Sequence, residues 1–126
     1  MSVRFEAGKP IFLQIEEIIR NDIVAGRYRP GEKLPGVRDL ALWANVNPNT
    51  MQKALTSLEE QGLIVTHGTC GKFICEDPLV IATAKEKIIR ELVCSILEKC
   101  QSLGVEPSEV SELLDKTENN ERNEHI

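Results

Sequence analysis

Leu34-Pro35-Gly36-Val37-Arg38-Asp39-Leu40-Ala41, then Asn47-Pro48-Asn49-Thr50-Met51-Gln52-Lys53-Ala54-Leu55, then Gly62-Leu63-Ile64-Val65-Thr66-His67-Gly68-Thr69-Cys70-Gly71-Lys72-Phe73: these segments of a 126-residue chain decide its fold. Val37, Leu40, Ala41 and Ala44 fall at i, i+3, i+4 and i+7, the spacing of one buried helix face. Met51, Ala54, Leu55 and Leu58 repeat that spacing and predict a second helix. Between them, Asn45-Val46-Asn47 predicts a turn, because Asn tolerates left-handed backbone angles and Val46 can plug the angle between two helices. Asn47 suits the N-cap of the second helix, and Pro48 its first position, where a missing N–H is harmless. Gly62 predicts where that helix stops.

Leu63-Ile64-Val65-Thr66 is rich in β-formers, and Phe73-Ile74-Cys75 reads as a return strand, so residues 67–72 form a hairpin tip. A helix, a tight turn, a second helix and a glycine-tipped hairpin make a winged helix-turn-helix, whose usual task is to read duplex DNA. Asn49, Gln52, Lys53 and Thr56 project opposite the apolar stripe of the second helix. Asn and Gln can bond adenine through two atoms, Lys favours guanine or phosphate, and Thr can touch a thymine methyl. A merely solvated helix face would have a similar composition. The hairpin favours the nucleic-acid reading: its tip combines Gly68 and Gly71 with His67, Thr69 and Lys72, slim enough to follow a phosphate backbone or enter a minor groove. A plain surface hairpin remains open beside it.

At these residues the chain resembles the DNA-binding domain of the GntR family of bacterial transcription regulators. The matching features are Pro30-Gly31-Glu32-Lys33-Leu34-Pro35, Arg38-Asp39-Leu40-Ala41 and Val46-Asn47-Pro48-Asn49-Thr50. They continue with Ala54-Leu55, Leu58-Glu59, Gly62-Leu63-Ile64 and Gly68, Gly71 and Phe73. The Asn-Pro-Asn-Thr opening of the second helix and the short C-terminal region resemble the YtrA subfamily. The resemblance covers residues 8–75 in detail and implies DNA contact by Arg38, Asn47, Asn49 and Thr50. With Gln52, Lys53 and Thr56 on the helix, and His67, Gly68 and Lys72 in the wing, these complete the expected DNA-binding set. For Arg38 the alternative is an ion pair with Asp39 or Glu32. The subfamily resemblance further implies a repressor of a transporter operon, and often of its own gene. Gly36-Val37 stands where many relatives have Ser-Glu. Pro48, Gln52 and Lys53 stand where other subfamilies carry arginines, and Cys70 and Lys72 where a basic residue and a threonine are common. These departures leave the fold intact and put the operator sequence beyond reach.

The chain's net charge of −5 argues at first against nucleic acid. Residues 1–75, however, hold nine Lys/Arg against eight Asp/Glu, and residues 76–126 hold six against twelve. The acidic half need not approach DNA, and the weakly basic half must rely on a few placed cations and on pairing of two chains. There is no apolar run of about 18 residues, and no basic-then-apolar leader opens the chain, so cytoplasmic residence without membrane insertion is expected. Four cysteines, Cys70, Cys75, Cys94 and Cys100, lie in helix and strand contexts and read as reduced thiols. His67, Cys70 and Cys75 lack a fourth ligand and match no zinc-site spacing. Cys70 would sense oxidation only if exposed beside His67 or Lys72. No nucleophile-and-base pair, phosphate loop or acid pair stands out, so neither an enzyme nor a cofactor is expected.

Residues 1–9 read as an extended arm, and residues 10–25 as a helix buried through Phe12, Ile15, Ile18, Ile19 and Ile23. Leu42 and Trp43 lie off the apolar stripe and are expected to pack against the arm or the C-terminal helices. Asp77-Pro78 opens a further helix whose wide apolar stripe runs through Ile88, Ile89, Leu92, Val93, Ile96 and Leu97. Cys94 and Cys100 read as core, Gly104 breaks the helix, and Pro107-Ser108 opens a last one, with residues 117–126 fraying. The expected architecture is mostly α with a small β-hairpin: a winged helix-turn-helix domain over residues 1–76, then a helical hairpin for dimerisation over residues 77–126. A lone helical hairpin cannot bury so wide a stripe, so a homodimer on a palindromic operator in double-stranded DNA is the expected assembly. No small-molecule effector can be read. The rival function is a protein-interaction module that does not bind DNA.

Overall fold

The structure, a computed structural model, describes residues 3–124, with side chains described to residue 121. The elements are α1 (Ile11–Val24), α2 (Val37–Ala44), α3 (Pro48–Glu60), β1 (Ile64–Thr66), β2 (Lys72–Ile74), α4 (Pro78–Ser102) and α5 (Pro107–Glu124). A 3-10 turn, Gly68–Cys70, joins the two strands. The chain divides into two compact units, Met1–Lys85 and Glu86–Ile126. The first turns of α4 belong to the first unit, because Ile81 and Ala84 pack against its core.

Ile15, Ile19 and Ile23 of α1 meet Leu40, Ala41 and Ala44 of α2 in one core. Met51, Ala54, Leu55 and Leu58 of α3, together with Leu63, Ile64 and Ile74, complete it. Fully burying a Leu, Ile or Met side chain contributes roughly 1.5–3 kcal/mol. The four α3 residues are all at 0% exposure, so the core fixes the rotation of α3 and therefore which face it turns outward. Phe12 and Ile18 are only half-buried, unlike the full burial expected for them. The arm is held, not loose: Val3 and Phe5 pack on the core, the Glu6 N–H donates to Gln14 Oε1 at 2.7 Å, and Gln14 Nε2 donates to the Glu6 carbonyl at 3.0 Å.

The turn between α2 and α3 follows the sequence closely. Asn45 takes left-handed angles (φ 55°, ψ 50°), the Val46 N–H donates back to the Ala41 carbonyl at 3.0 Å, and Val46 packs on the core. Asn47 Oδ1 then accepts the Asn49 N–H at 2.8 Å, capping α3 with Pro48 in its first turn. Gly62, at φ +79°, ends that helix region. In the hairpin, Ile64 pairs with Ile74, Val65 with Phe73 and Thr66 with Lys72. Residues 31–34 run along the other side of β2: the Ile74 N–H donates to the Glu32 carbonyl at 2.8 Å and the Leu34 N–H to the Lys72 carbonyl at 2.9 Å.

Leu42 departs from expectation. It is 80% exposed, and Trp43 is also exposed, because both sit opposite the buried edge of the short helix α2.

In the second unit, the Gly104 N–H donates to the Gln101 carbonyl and the Val105 N–H to the Cys100 carbonyl, both at 3.0 Å, closing the turn into α5. Val110 is buried, whereas Ile89, Leu92, Val93, Ile96, Leu113 and Leu114 are exposed in the single chain. Cys94 is exposed and Cys100 only half-buried, so neither is a core residue within one chain. α5 continues through Glu124, and residues 125–126 of the expected frayed tail lie outside the described residues. No described helix is long and apolar enough to cross a membrane.

Candidate nucleic-acid interface

With the core gripping one side of α3, Asn49, Gln52, Lys53 and Thr56 are left exposed together on the other. They line a groove of about 490 Å³ with Phe12, Ser57 and Glu60. Gln52 Nε2 donates to Thr56 Oγ1 at 3.2 Å, an i to i+4 contact that steadies the amide along the helix. Lys53 leans off the helix toward α1, and its ammonium lies 3.9 Å from the centre of the Phe12 ring. That cation–π contact accounts for the half-buried Phe12. Asn47 is exposed, but its side-chain oxygen is engaged in the cap. Thr50 is half-buried one residue before the core-facing Met51.

Arg38 is exposed on α2, and among the described residues it forms no ion pair with Asp39 or Glu32. It borders a hollow of about 330 Å³ with Ala41, Leu42, Val46 and Pro48, at the entrance to α3. Arg27, by contrast, is paired with Asp22. Tyr28 packs on the core, where burial, then Asp22 and Glu32, push its hydroxyl pKa upward.

In the wing, the His67 ring lies 5.0 Å from the Phe73 ring at 57°, which holds the imidazole at the base of the tip. Gly68, at φ +52°, occupies the left-handed region in the exposed tip. Lys72 is placed unlike the other wing residues. Its ammonium donates to Glu59 of α3 and to Thr66 Oγ1, leaving the side chain 16% exposed. These hydrogen bonds, Lys72 first and Thr66 second, hold the Glu59 carboxyl below the usual carboxylate range. Cys70 is exposed in the tip, while the neighbouring His67 ring faces Phe73 and the Lys72 ammonium faces Glu59.

Three participants escape a reading of the sequence alone: Phe12 as the partner of Lys53, Glu59 as the partner of Lys72, and Lys33. The stem of Lys33 crosses Gly71, its Cε only 3.2 Å from where a Cβ on Gly71 would stand. No short-range spacing links these pairs. The one available signal was the lysine in the Pro30–Pro35 segment.

Residues 12–74 match the family profile of bacterial regulatory proteins, gntR family. The chain is 35% identical over 112 residues to the HTH-type transcriptional regulator YhcF of Bacillus subtilis (strain 168), spanning 89% of this chain and 93% of that one. To the HTH-type transcriptional repressor YtrA of the same organism it is 34% identical over 107 residues, spanning 84% and 82%. A solved GntR family transcriptional regulator from Listeria monocytogenes superposes with a TM-score of 0.86 at 35% identity, over 89% of this chain and 98% of that one. The DNA-binding domain of AraR, solved in complex with operator ORX1, gives a TM-score of 0.54 at 25% identity, over 60% and 95%.

Proposed function

This chain belongs to the gntR family of bacterial regulatory proteins, non-enzymatic helix-turn-helix transcriptional regulators that bind DNA, and we propose that it acts as a homodimeric, sequence-specific repressor. The observation that carries this reading is the face of α3: Asn49, Gln52, Lys53 and Thr56 stand exposed together on a helix whose other side is locked into the core. Such a helix fits a major groove, where Gln52 and Asn49 read adenine edges and Lys53, held toward α1 by Phe12, reaches the flanking phosphates. Arg38 and the N-terminal end of α3, with Asn47 and Thr50, meet the backbone beside it, and His67 and Gly68 bring the wing to the adjacent groove.

The exposed apolar residues of α4 and α5 support pairing of two chains through residues 78–116, which matches a palindromic operator. The repressor assignment leans on the relative named as a repressor. The regulated genes, a transporter operon and the chain's own gene, lean on the resemblance to the YtrA subfamily. We place the protein in the cytoplasm, with its operator, and assign it no effector or cofactor. A gel shift with the duplex upstream of its own gene tests the reading. A retarded species that survives excess random duplex is expected. No shift at any protein concentration would favour a protein-binding module instead.

A further inference from the structure

We infer that Lys33, and not Lys72, is the cation that the wing offers to a DNA phosphate, an inference that rests on the DNA-binding reading above. Two lysines, Lys33 and Lys72, border the same groove of about 390 Å³, which lies between residues 33–37 and the wing and includes Gly68, Cys70 and Gly71. Lys72 already has an anionic partner in Glu59 and is mostly covered. To reach a phosphate it would have to leave a carboxylate that donation from Thr66 also holds in place. Lys33 is exposed and, among the described residues, forms no ion pair.

Its backbone is fixed. Lys33 bridges Phe73, and the bonds of its neighbours Glu32 and Leu34 to Ile74 and Lys72 align the segment with β2. Its side chain is directed across the wing at Gly71, whose φ of +112° and missing Cβ leave room for the Lys33 stem. The sequence therefore uses one lysine to fasten the wing and a second, from before α2, to charge its tip. A phosphodiester is the ligand chemistry that fits: one negative charge, reached by a flexible point charge and requiring no bidentate geometry.

The test measures affinity across a salt series for wild type, Lys33→Ala, Lys33→Arg and Lys72→Met, on the chain's own upstream duplex and on a random duplex. For Lys33→Ala we expect a loss of about three- to tenfold on both duplexes and a salt dependence shallower by about one phosphate contact, restored by Lys33→Arg. Lys72→Met should keep the wild-type salt slope while its melting temperature falls. An unchanged slope for Lys33→Ala, or a slope lost in Lys72→Met with its melting temperature intact, overturns the inference. If wild type binds neither duplex, the DNA reading itself fails and this inference falls with it.

Discussion

The ammonium of Lys72 rests against the carboxylate of Glu59, tying β2 of the wing to the last turn of α3. Thr66 Oγ1 joins them, donating to the carboxylate and accepting from Lys72 at 3.0 Å. This three-group latch adds a side-chain contact to the backbone bond from the Leu63 N–H to the Leu58 carbonyl at 3.1 Å, which also joins the end of α3 to the hairpin.

The latch predicts an acid sensitivity of defined sign. The folded-state pKa of Glu59 is depressed, so its stabilisation is present above the ordinary carboxylate value of 4.5 and is lost as pH falls through the lower folded value. A partly exposed pair of this kind is worth about 0.5–1 kcal/mol. Wild type should therefore melt above Glu59→Gln at neutral pH, and the gap should narrow as the pH is taken well below 4.5. A melting difference that is the same at both pH values would contradict the latch.

At the wing tip, Gly68 sits at φ +52° with nothing within 4 Å of an added Cβ. A side chain there would meet open space, so the penalty is backbone strain, roughly 1–2 kcal/mol for a β-branched residue. Gly68→Val should reduce operator affinity more than His67→Ala, as read by fluorescence anisotropy. Equal affinity for wild type and Gly68→Val would mean that the wing stays off the DNA.

Phe12 should act on DNA through Lys53. Phe12→Leu keeps apolar bulk but removes the π face under the ammonium, and should weaken operator binding by about 0.5–1 kcal/mol, with Phe12→Tyr close to wild type. In a Lys53→Met background the same change should have no effect. A Phe12→Leu loss that persists there would show that the ring acts by packing alone.

Placing Asp at Ile89 or Leu92, both exposed on α4, should give monomers that no longer bind the operator. Sedimentation would show this directly. An unchanged dimer for both variants would remove residues 78–116 as the pairing surface.

The parts of this molecule legible in its sequence are those governed by neighbours along the chain. Asn45 in the left-handed region, Asn47 as the cap of α3 and the buried register Met51, Ala54, Leu55 and Leu58 follow from local backbone chemistry and helical period. The pairing of Lys72 with Glu59 is hidden from a reading along the chain because the two residues lie 13 positions apart, on different elements. The meetings of Phe12 with Lys53 and of Lys33 with Gly71 likewise exist only once α1 and the 31–34 segment have folded onto α3 and the wing. The hydrophobicity of Leu42 predicts a packing partner, but one short helix cannot bury its outer side against a core that lies beneath it. The stripe on α4 is readable as a pattern, and its residues Ile89, Leu92, Val93 and Ile96 stay exposed in the single chain.

The central claim, that the exposed side of α3 reads bases, is tested most directly by binding wild type and Gln52→Ala to the upstream duplex and to its full set of single-base-pair variants. The account predicts that Gln52→Ala loses about 1–3 kcal/mol of discrimination at one or two positions in each half-site and keeps wild-type preferences elsewhere. An equal loss on every sequence would contradict it, and would leave Gln52 as one more contact to the backbone.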